Sequence, residues 1–172
     1  MNDLLLAADV PAAGAGQQPT PVVPAVERAV DALRVLAAER GITISLDAAG
    51  EPATAVPAAS IQRCVTALVD NALTHSPDDA TVRVSVRAER HEVILTVSDS
   101  GPGIVGIDPD RIFDRFARAQ RPVRTTPTRL SFGIGLALVR EVAVRYGGSV
   151  RVADTSDQGT VLELVLPESP AT

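Results

Sequence analysis

Two glycine-containing turns in the second half of the sequence carry residue types suited to binding a nucleotide. The first is the run 99–103, Asp-Ser-Gly-Pro-Gly, where a carboxylate ends an alternating apolar segment. The glycines allow a sharp turn and a close approach of a ligand to the backbone. The carboxylate can accept a hydrogen bond from an amino group such as N6 of adenine. Because Asp-Ser-Gly is also ordinary turn chemistry, a plain surface turn stays open as the alternative.

The second turn, residues 131–136, reads Ser-Phe-Gly-Ile-Gly-Leu and opens a helical pattern. The exposed N–H groups and the positive dipole end of a helix start can receive phosphates without any lysine. The motif lacks the last glycine of a dinucleotide fingerprint, and antiparallel strands precede it, which disfavours a Rossmann domain. Close helix packing is the other explanation for Gly133 and Gly135.

A third candidate group lies on a helix predicted over residues 58–75. Asn71, Thr74 and His75 gather on one flank of its apolar stripe, whereas Asp70 points away from the centre of that stripe. An amide oxygen such as that of Asn71 can ligate Mg²⁺, although an Asn near a helix end is also commonly structural. The stripe that predicts this helix consists of Ile61, Cys64, Val65, Leu68, Val69 and Ala72.

The composition restricts the class of protein. A chain of 172 residues with 45% hydrophobic content fits one domain with a real core. All 16 basic residues are arginine, which excludes a Walker-type lysine and a Schiff-base enzyme. The net charge of −5 argues against a nucleic-acid partner held by bulk electrostatics. Cys64, on an apolar helical face, is expected to be a small buried hydrophobe.

The elements that must position these groups follow from periodicity and turn residues. They predict a two-layer α+β sandwich, a mixed but mostly antiparallel sheet of about five strands with three helices on one face. A loop is expected over 118–130. The predicted helices cover 25–40, 58–75, 108–116 and 133–146, and the predicted strands cover 42–46, 81–87, 92–98, 149–153 and 159–166, with 53–56 as a candidate partner of the first strand.

Four motifs in this order resemble the N, G1, F and G2 boxes of sensor histidine kinases, within the gyrase, chaperone, kinase and MutL ATPase superfamily. They occupy residues 70–77, 99–103, 111–116 and 132–139, and the match covers about 21–167. The resemblance implies a Bergerat-type fold that binds ATP and Mg²⁺. Asn71 would bind Mg²⁺, Asp99 would accept the adenine amino group, and Thr160 would support that end through water. The other implied nucleotide contacts are Thr74, His75, Gly101, Gly103, Ile104, Gly133, Gly135 and Leu136, under a lid of about 118–130 with Phe113 and Phe116 at its base.

The sequence departs from the family pattern at the phosphate end. Ala67 stands where such kinases usually carry Asn or Glu, and Thr74 stands where they carry Lys. Arg115 or Arg118 could supply the missing charge, since guanidinium pairs well with phosphate. Asp70 occupies a common family position, but its orientation makes it a doubtful base.

The resemblance further implies a division of the chain and a set of partners. His91-Glu92 begins a strand and lacks the proline that follows the family's acceptor, so the phosphoacceptor histidine is expected on a dimerisation domain absent from this chain. We expect residues 1–20 to be the remnant of a dimerisation helix and linker, 21–168 the ATP-binding catalytic domain, and 169–172 a tail. The expected downstream partner is a response regulator, reached through the full-length protein.

The expected function is transfer of the γ-phosphoryl group of ATP to that histidine. The alternatives are a degenerate nucleotide-binding sensor with weak or no transfer, and a serine-directed protein kinase of the same superfamily. We expect the fragment to be cytoplasmic and monomeric, without direct membrane contact, and its parent to be anchored in the cell membrane.

Overall fold

The computed structural model describes residues 18–115 and 134–170, and the structural statements below refer to these residues. Three α-helices and seven strands are present in them. A short 3-10 helix covers Pro109–Arg111. The helices are α1 (Val22–Glu39), α2 (Ala58–His75) and α3 (Ile134–Arg145), and the strands are β1 (Thr20–Pro21), β2 (Thr43–Ala48), β3 (Ala53–Thr54), β4 (Thr81–Glu89), β5 (Glu92–Asp99), β6 (Ser149–Ser156) and β7 (Gly159–Pro167).

Five strands form one sheet in the order β2-β4-β5-β7-β6. Only the β2–β4 pair is parallel, and the other three pairs are antiparallel. Alternate residues of the central strands are buried against the helices, and α2 packs between α1 and α3. The predicted two-layer sandwich is therefore confirmed. Its core is aliphatic, with fully buried residues that include Ile61, Leu68, Leu162, Leu164, Val26, Val30, Val82 and Val84.

The segment around residue 53 is placed differently from the prediction. β3 pairs with β1 near the start of α1, not with β2. The backbone carbonyls here are used by other segments, since the N–H of Val22 donates to Pro52 at 3.0 Å and the N–H of Ser169 donates to Ala53 at 2.8 Å. Buried Thr54 donates its hydroxyl hydrogen to the carbonyl of Pro167 at 2.9 Å, which ties β3 to the end of β7.

The prediction of a helix over residues 108–116 is also wrong, because the helical turn observed there is much shorter. Its start is correct, since Asp108 accepts a hydrogen bond from the N–H of Asp110 at 3.0 Å and Pro109 follows. The next bonds span three residues, such as Ile112 N–H to Pro109, so the chain forms a tight turn instead of an α-helix. This turn carries Phe113 into the core.

Several predictions fall outside the described residues. They concern the helical remnant within 1–17, the lid over 118–130, Phe116, Arg118 and Gly133. Within 18–115 and 134–170, no helix combines the length and the apolar character needed to cross a lipid bilayer.

Candidate functional site

Asp99 is the last residue of β5 and is 8% exposed. Its Oδ1 accepts a hydrogen bond from the backbone N–H of Gly101 at 2.8 Å. Burial raises the pKa of this carboxyl above its ordinary value, and the N–H of Gly101, the charge of His75 and the N–H of Thr160 partly offset that rise. The sheet thus ends in a desolvated carboxylate that is fixed by backbone amides.

The two glycines after Asp99 are required because backbone carbonyl groups of other segments lie very close to them. A Cβ on Gly101 would lie 2.5 Å from the carbonyl oxygen of His75, the last residue of α2. Gly103 has φ +81°, and a Cβ there would overlap the carbonyl of Ser156. These two positions bring the N-box helix, the G1 turn and the β6–β7 hairpin into backbone contact.

A row of side chains crosses the same end of the sheet. Thr160 on β7 pairs with Asp99 on one side and with Thr155 on the other. The hydroxyls of Thr155 and Thr160 lie 3.1 Å apart, and the N–H of Ile104 donates to Thr155 Oγ1 at 2.9 Å. The predicted contacts Thr160 and Ile104 are therefore joined through a residue that was not predicted.

The end of α2 carries the N-box side chains. Asn71 is half-buried and His75 is exposed. The hydroxyl of Thr74 donates to the backbone carbonyl of Asp70 at 2.8 Å, so its hydrogen is used within the helix. Thr74 consequently does not replace the cation that the family usually carries at this position.

Arg40, at the end of α1, fixes this last turn of α2. Its guanidinium donates to the carbonyls of Leu73 at 2.5 Å and Ser76 at 2.6 Å, and to Asp78 Oδ1 at 2.9 Å. A cation at a helix C-terminus satisfies carbonyls that have no partner within the helix. Neither spacing nor motif indicated this residue, because its partners lie more than thirty positions away in the chain.

The start of α3 lies beside α2. A Cβ on Gly135 would be 3.4 Å from the Cβ of Ala67, an ordinary contact, and Leu136 is half-buried. Ala67 therefore lies at the contact between the two helices, but a methyl group at position 135 would fit there, so packing against Ala67 does not require a glycine. A larger polar residue at position 67 would have to be accommodated against α3.

The structure describes the surroundings of two charged candidates, Arg115 and Asp70. Arg115 forms an ion pair with Glu141 of α3, and Arg140 pairs with Asp114 at 2.8 Å. These crossed pairs tie the F-box turn to α3. Asp70 lines an open groove of about 660 Å³ on the helical layer, together with Leu36 and Leu138.

The structure thus joins most of the predicted contacts into one region. Asp99, Gly101, Gly103, Ile104 and Thr160 form a continuous set, which His75 links to Asn71 and Thr74 on α2. Gly135 and Leu136 reach the same helix through Ala67. The ligand roles of these residues remain predictions.

Comparison with known proteins agrees with this architecture. The family described as histidine kinase-, DNA gyrase B-, and HSP90-like ATPase matches residues 57–170. The sensor-like histidine kinase SenX3 of Mycolicibacterium smegmatis is 32% identical over 145 residues, which are 84% of this chain and 37% of that protein. The structure of a mycobacterial sensor histidine kinase, MprB, is 25% identical and superposes with a TM-score of 0.73, covering 90% of this chain and 99% of that one. Full-length ShkA in complex with AMPPNP shares the fold, with a TM-score of 0.74, 22% identity, and coverage of 92% of this chain and 33% of that one.

The helix-covered sheet and the glycine turns around a buried carboxylate define an ATP-binding domain of the two-layer sandwich type. The chain belongs to the histidine kinase-, DNA gyrase B- and HSP90-like ATPase family. Within that family it is a catalytic ATP-binding domain of the sensor histidine kinase type. It spans 37% of the length of the SenX3 relative.

Proposed function

We propose that this chain binds Mg-ATP at the Asp99 end of the sheet and transfers the γ-phosphoryl group to a histidine of a separate helical domain. The observation that carries the proposal is the buried Asp99 carboxylate, held by Gly101 against the end of α2. A carboxylate accepts only, so it selects a base with an amino group at its edge. The crystal structure of ShkA, which shares this fold, holds the adenine nucleotide analogue AMPPNP, and this supports an adenine nucleotide as the ligand.

Each wall of the site has a proposed role. Asp99 accepts a hydrogen bond from adenine N6, with Thr160 beside it. Asn71 offers an amide oxygen to Mg²⁺, an oxygen-binding cation that shares its sites with phosphates. The phosphate oxygens of ATP would supply further oxygen ligands to the same ion. The start of α3, with Gly135 and Leu136, faces the phosphates.

The transfer itself depends on position and charge. A neutral imidazole nitrogen of the acceptor attacks the γ-phosphorus, the bond to the β–γ bridging oxygen breaks, and ADP leaves with that electron pair. Mg²⁺, when bound, neutralises the phosphate charge that would repel the nucleophile. The protein contributes by holding the nucleotide in line with the acceptor. In the parent protein, a response-regulator aspartate then receives the phosphoryl group from the histidine.

A second candidate function is a nucleotide sensor that binds ATP but transfers poorly. Two observations favour it: Ala67 packs on Gly135, and the Thr74 hydroxyl is bonded within its own helix. Both leave the phosphate end with fewer polar groups than the family pattern.

Phosphoryl transfer separates these functions. The chain is joined to the phosphoacceptor domain that adjoins it in its parent kinase and is incubated with γ-labelled ATP, with Asp99→Asn as the control. The proposal predicts an acid-labile label on a histidine, absent from the control. ATP binding without label would favour the sensor, and an acid-stable label on serine would favour a serine-directed kinase.

A further inference from the structure

A β-bulge in β6 decides which side chain lies beside Thr160. Val152 pairs with Leu162, but Asp154 pairs with Val161, so one extra residue, Ala153, is inserted. Without it, position 154 would share the inner face with Val152. The bulge instead turns Thr155 to that face, directly opposite Thr160. Bulges commonly redirect one side chain next to a functional site.

The Thr155 hydroxyl has two hydrogen-bond partners, the N–H of Ile104 and the hydroxyl of Thr160. A hydroxyl has one hydrogen to donate, and Thr155 Oγ1 already accepts from the N–H of Ile104 at 2.9 Å. Either oxygen can donate across the 3.1 Å between Thr155 Oγ1 and Thr160 Oγ1, and the direction from Thr155 to Thr160 is the one that uses the Thr155 hydrogen. When Thr155 donates, the hydrogen of Thr160 is left to be donated elsewhere. Thr160 is 6% exposed and is the cross-strand partner of Asp99. Its hydroxyl hydrogen is therefore available to a ligand that binds beside the Asp99 carboxylate.

A hydroxyl donor beside Asp99 would help the site to distinguish adenine from guanine. The edge of adenine carries the N6 amino donor next to the N1 acceptor, whereas guanine carries O6, an acceptor, next to an N1–H donor. A carboxylate acceptor with an adjacent donor therefore matches adenine at both positions, directly or through one water. A site built from buried polar groups rejects a base that leaves them unpaired.

We propose that Thr155 is a positioning residue for base selectivity: it donates to Thr160 and thereby orients the Thr160 hydroxyl as the donor toward adenine N1. This inference rests on the proposed nucleotide site at Asp99. Thr155 itself does not contact the base. Its effect is transmitted by the direction of one hydrogen bond, which the bulge at Ala153 makes possible.

The experiment measures binding of ADP and of 1-deaza-ADP, which lacks the N1 acceptor, by calorimetry with Mg²⁺ present. The variants are Thr155→Val, which keeps the shape and removes the hydroxyl, and Thr155→Ser, which keeps the hydroxyl. Thr96→Val is the matched control, because the Thr96 hydroxyl bonds Ser85 at 2.5 Å on the other face of the sheet. Thermal melting verifies that each variant is folded, and Thr155→Ala replaces the valine variant if that one is unfolded at the assay temperature.

For the wild type we expect ADP to bind about tenfold more tightly than 1-deaza-ADP, the scale of one hydrogen bond. In Thr155→Val the ratio of the two affinities, ADP over 1-deaza-ADP, should fall to below about twofold. Thr155→Ser and Thr96→Val should keep the wild-type ratio. The inference would be overturned if the affinity ratio is unchanged in Thr155→Val, or if this variant loses affinity for ADP and 1-deaza-ADP equally without folding being affected. Asp99→Asn tests the underlying site separately: if this variant binds ADP as the wild type does, the proposed site is wrong, whatever Thr155 does.

Discussion

The carbonyl oxygen of His75 lies 2.5 Å from the point where a Cβ on Gly101 would be. The end of α2 and the turn after β5 therefore meet backbone to backbone. This contact brings the N-box side chains and the Asp99 carboxylate to one site, although more than twenty positions separate Asn71 and His75 from the residues around 99–101. The glycine is needed for space, not for an unusual backbone angle.

Gly101→Ala should weaken ADP binding more than tenfold, because the added methyl group must push the end of α2 away from β5. The expected loss of unfolding free energy is about 1–3 kcal/mol, typical of overpacking. Calorimetry and chemical denaturation measure the two effects. Gly50→Ala is the control: nothing lies within 4 Å of its Cβ, and its φ of +75° alone should cost about 1 kcal/mol without changing ADP affinity. Wild-type affinity in Gly101→Ala would contradict the account.

Asp99→Asn should lose ADP binding and yet unfold at the same temperature as the wild type, or higher, at pH 7. Burial raises the pKa of the Asp99 carboxyl above 3.8, so the folded protein binds this proton more tightly than the unfolded chain. The stability contributed by this group is thus full below pH 3.8 and decreases as the pH rises through the folded pKa. The neutral amide avoids that decrease while still accepting from Gly101.

The melting difference between Asp99→Asn and the wild type should accordingly shrink as the pH is lowered toward 3.8. Calorimetric scans from about pH 4 to pH 7 measure it. A variant that is clearly less stable than the wild type at pH 7 would show that the carboxylate stabilises the fold.

Arg40→Ala should lower ADP affinity several-fold, because the last turn of α2 loses the guanidinium that holds the carbonyls of Leu73 and Ser76. We expect a stability loss of about 1–2 kcal/mol. Arg34→Ala is the matched control, since Arg34 pairs within α1 with exposed Asp31 at 2.6 Å. That pair is worth less than about 1 kcal/mol. Equal effects of the two substitutions on ADP affinity would contradict the role of Arg40.

Cys64 should be unreactive in the native protein. Its side chain is 1% exposed, and burial raises the pKa of the thiol to about 11, with a small opposing effect of Arg63. At pH 8 the thiolate is then about a hundredfold rarer than in the unfolded chain. Labelling with a disulfide reagent should follow the unfolding transition. Rapid labelling of the folded protein would show that α2 is less well packed than described.

The sequence predicted the fold well where periodicity is strong. The apolar stripe that includes Ile61 and Leu68 gave the bounds of α2 correctly, and the alternation in β4 and β5 gave their antiparallel pairing. It failed for the two-residue strand β3, because two residues carry no period and their backbone partners, at 20–21 and 167–169, lie far away in the sequence. It also overestimated the helix after Asp108, since a cap and a proline specify a helix start but not its length.

The candidate site was predictable only in part. Motifs indicated Asp99, Gly101 and Asn71 because each has a chemical signature in a short segment. Arg40 and Thr155 have none: Arg40 acts across more than thirty positions, and Thr155 reaches the inner face only through a bulge. Arg115 was predicted as a phosphate ligand from its charge, but its ion pair with Glu141 could be seen only in the structure.

The most direct test of the central claim is amide chemical-shift mapping of the isotopically labelled chain during titration with Mg-ADP. The account predicts a saturable response concentrated at Asn71, Gly101 and Thr160. The opposite end of the sheet, at Arg90 and Gly148, should not respond. Shifts confined to that opposite end, or no saturable shifts at millimolar Mg-ADP in folded protein, would contradict a nucleotide site at Asp99.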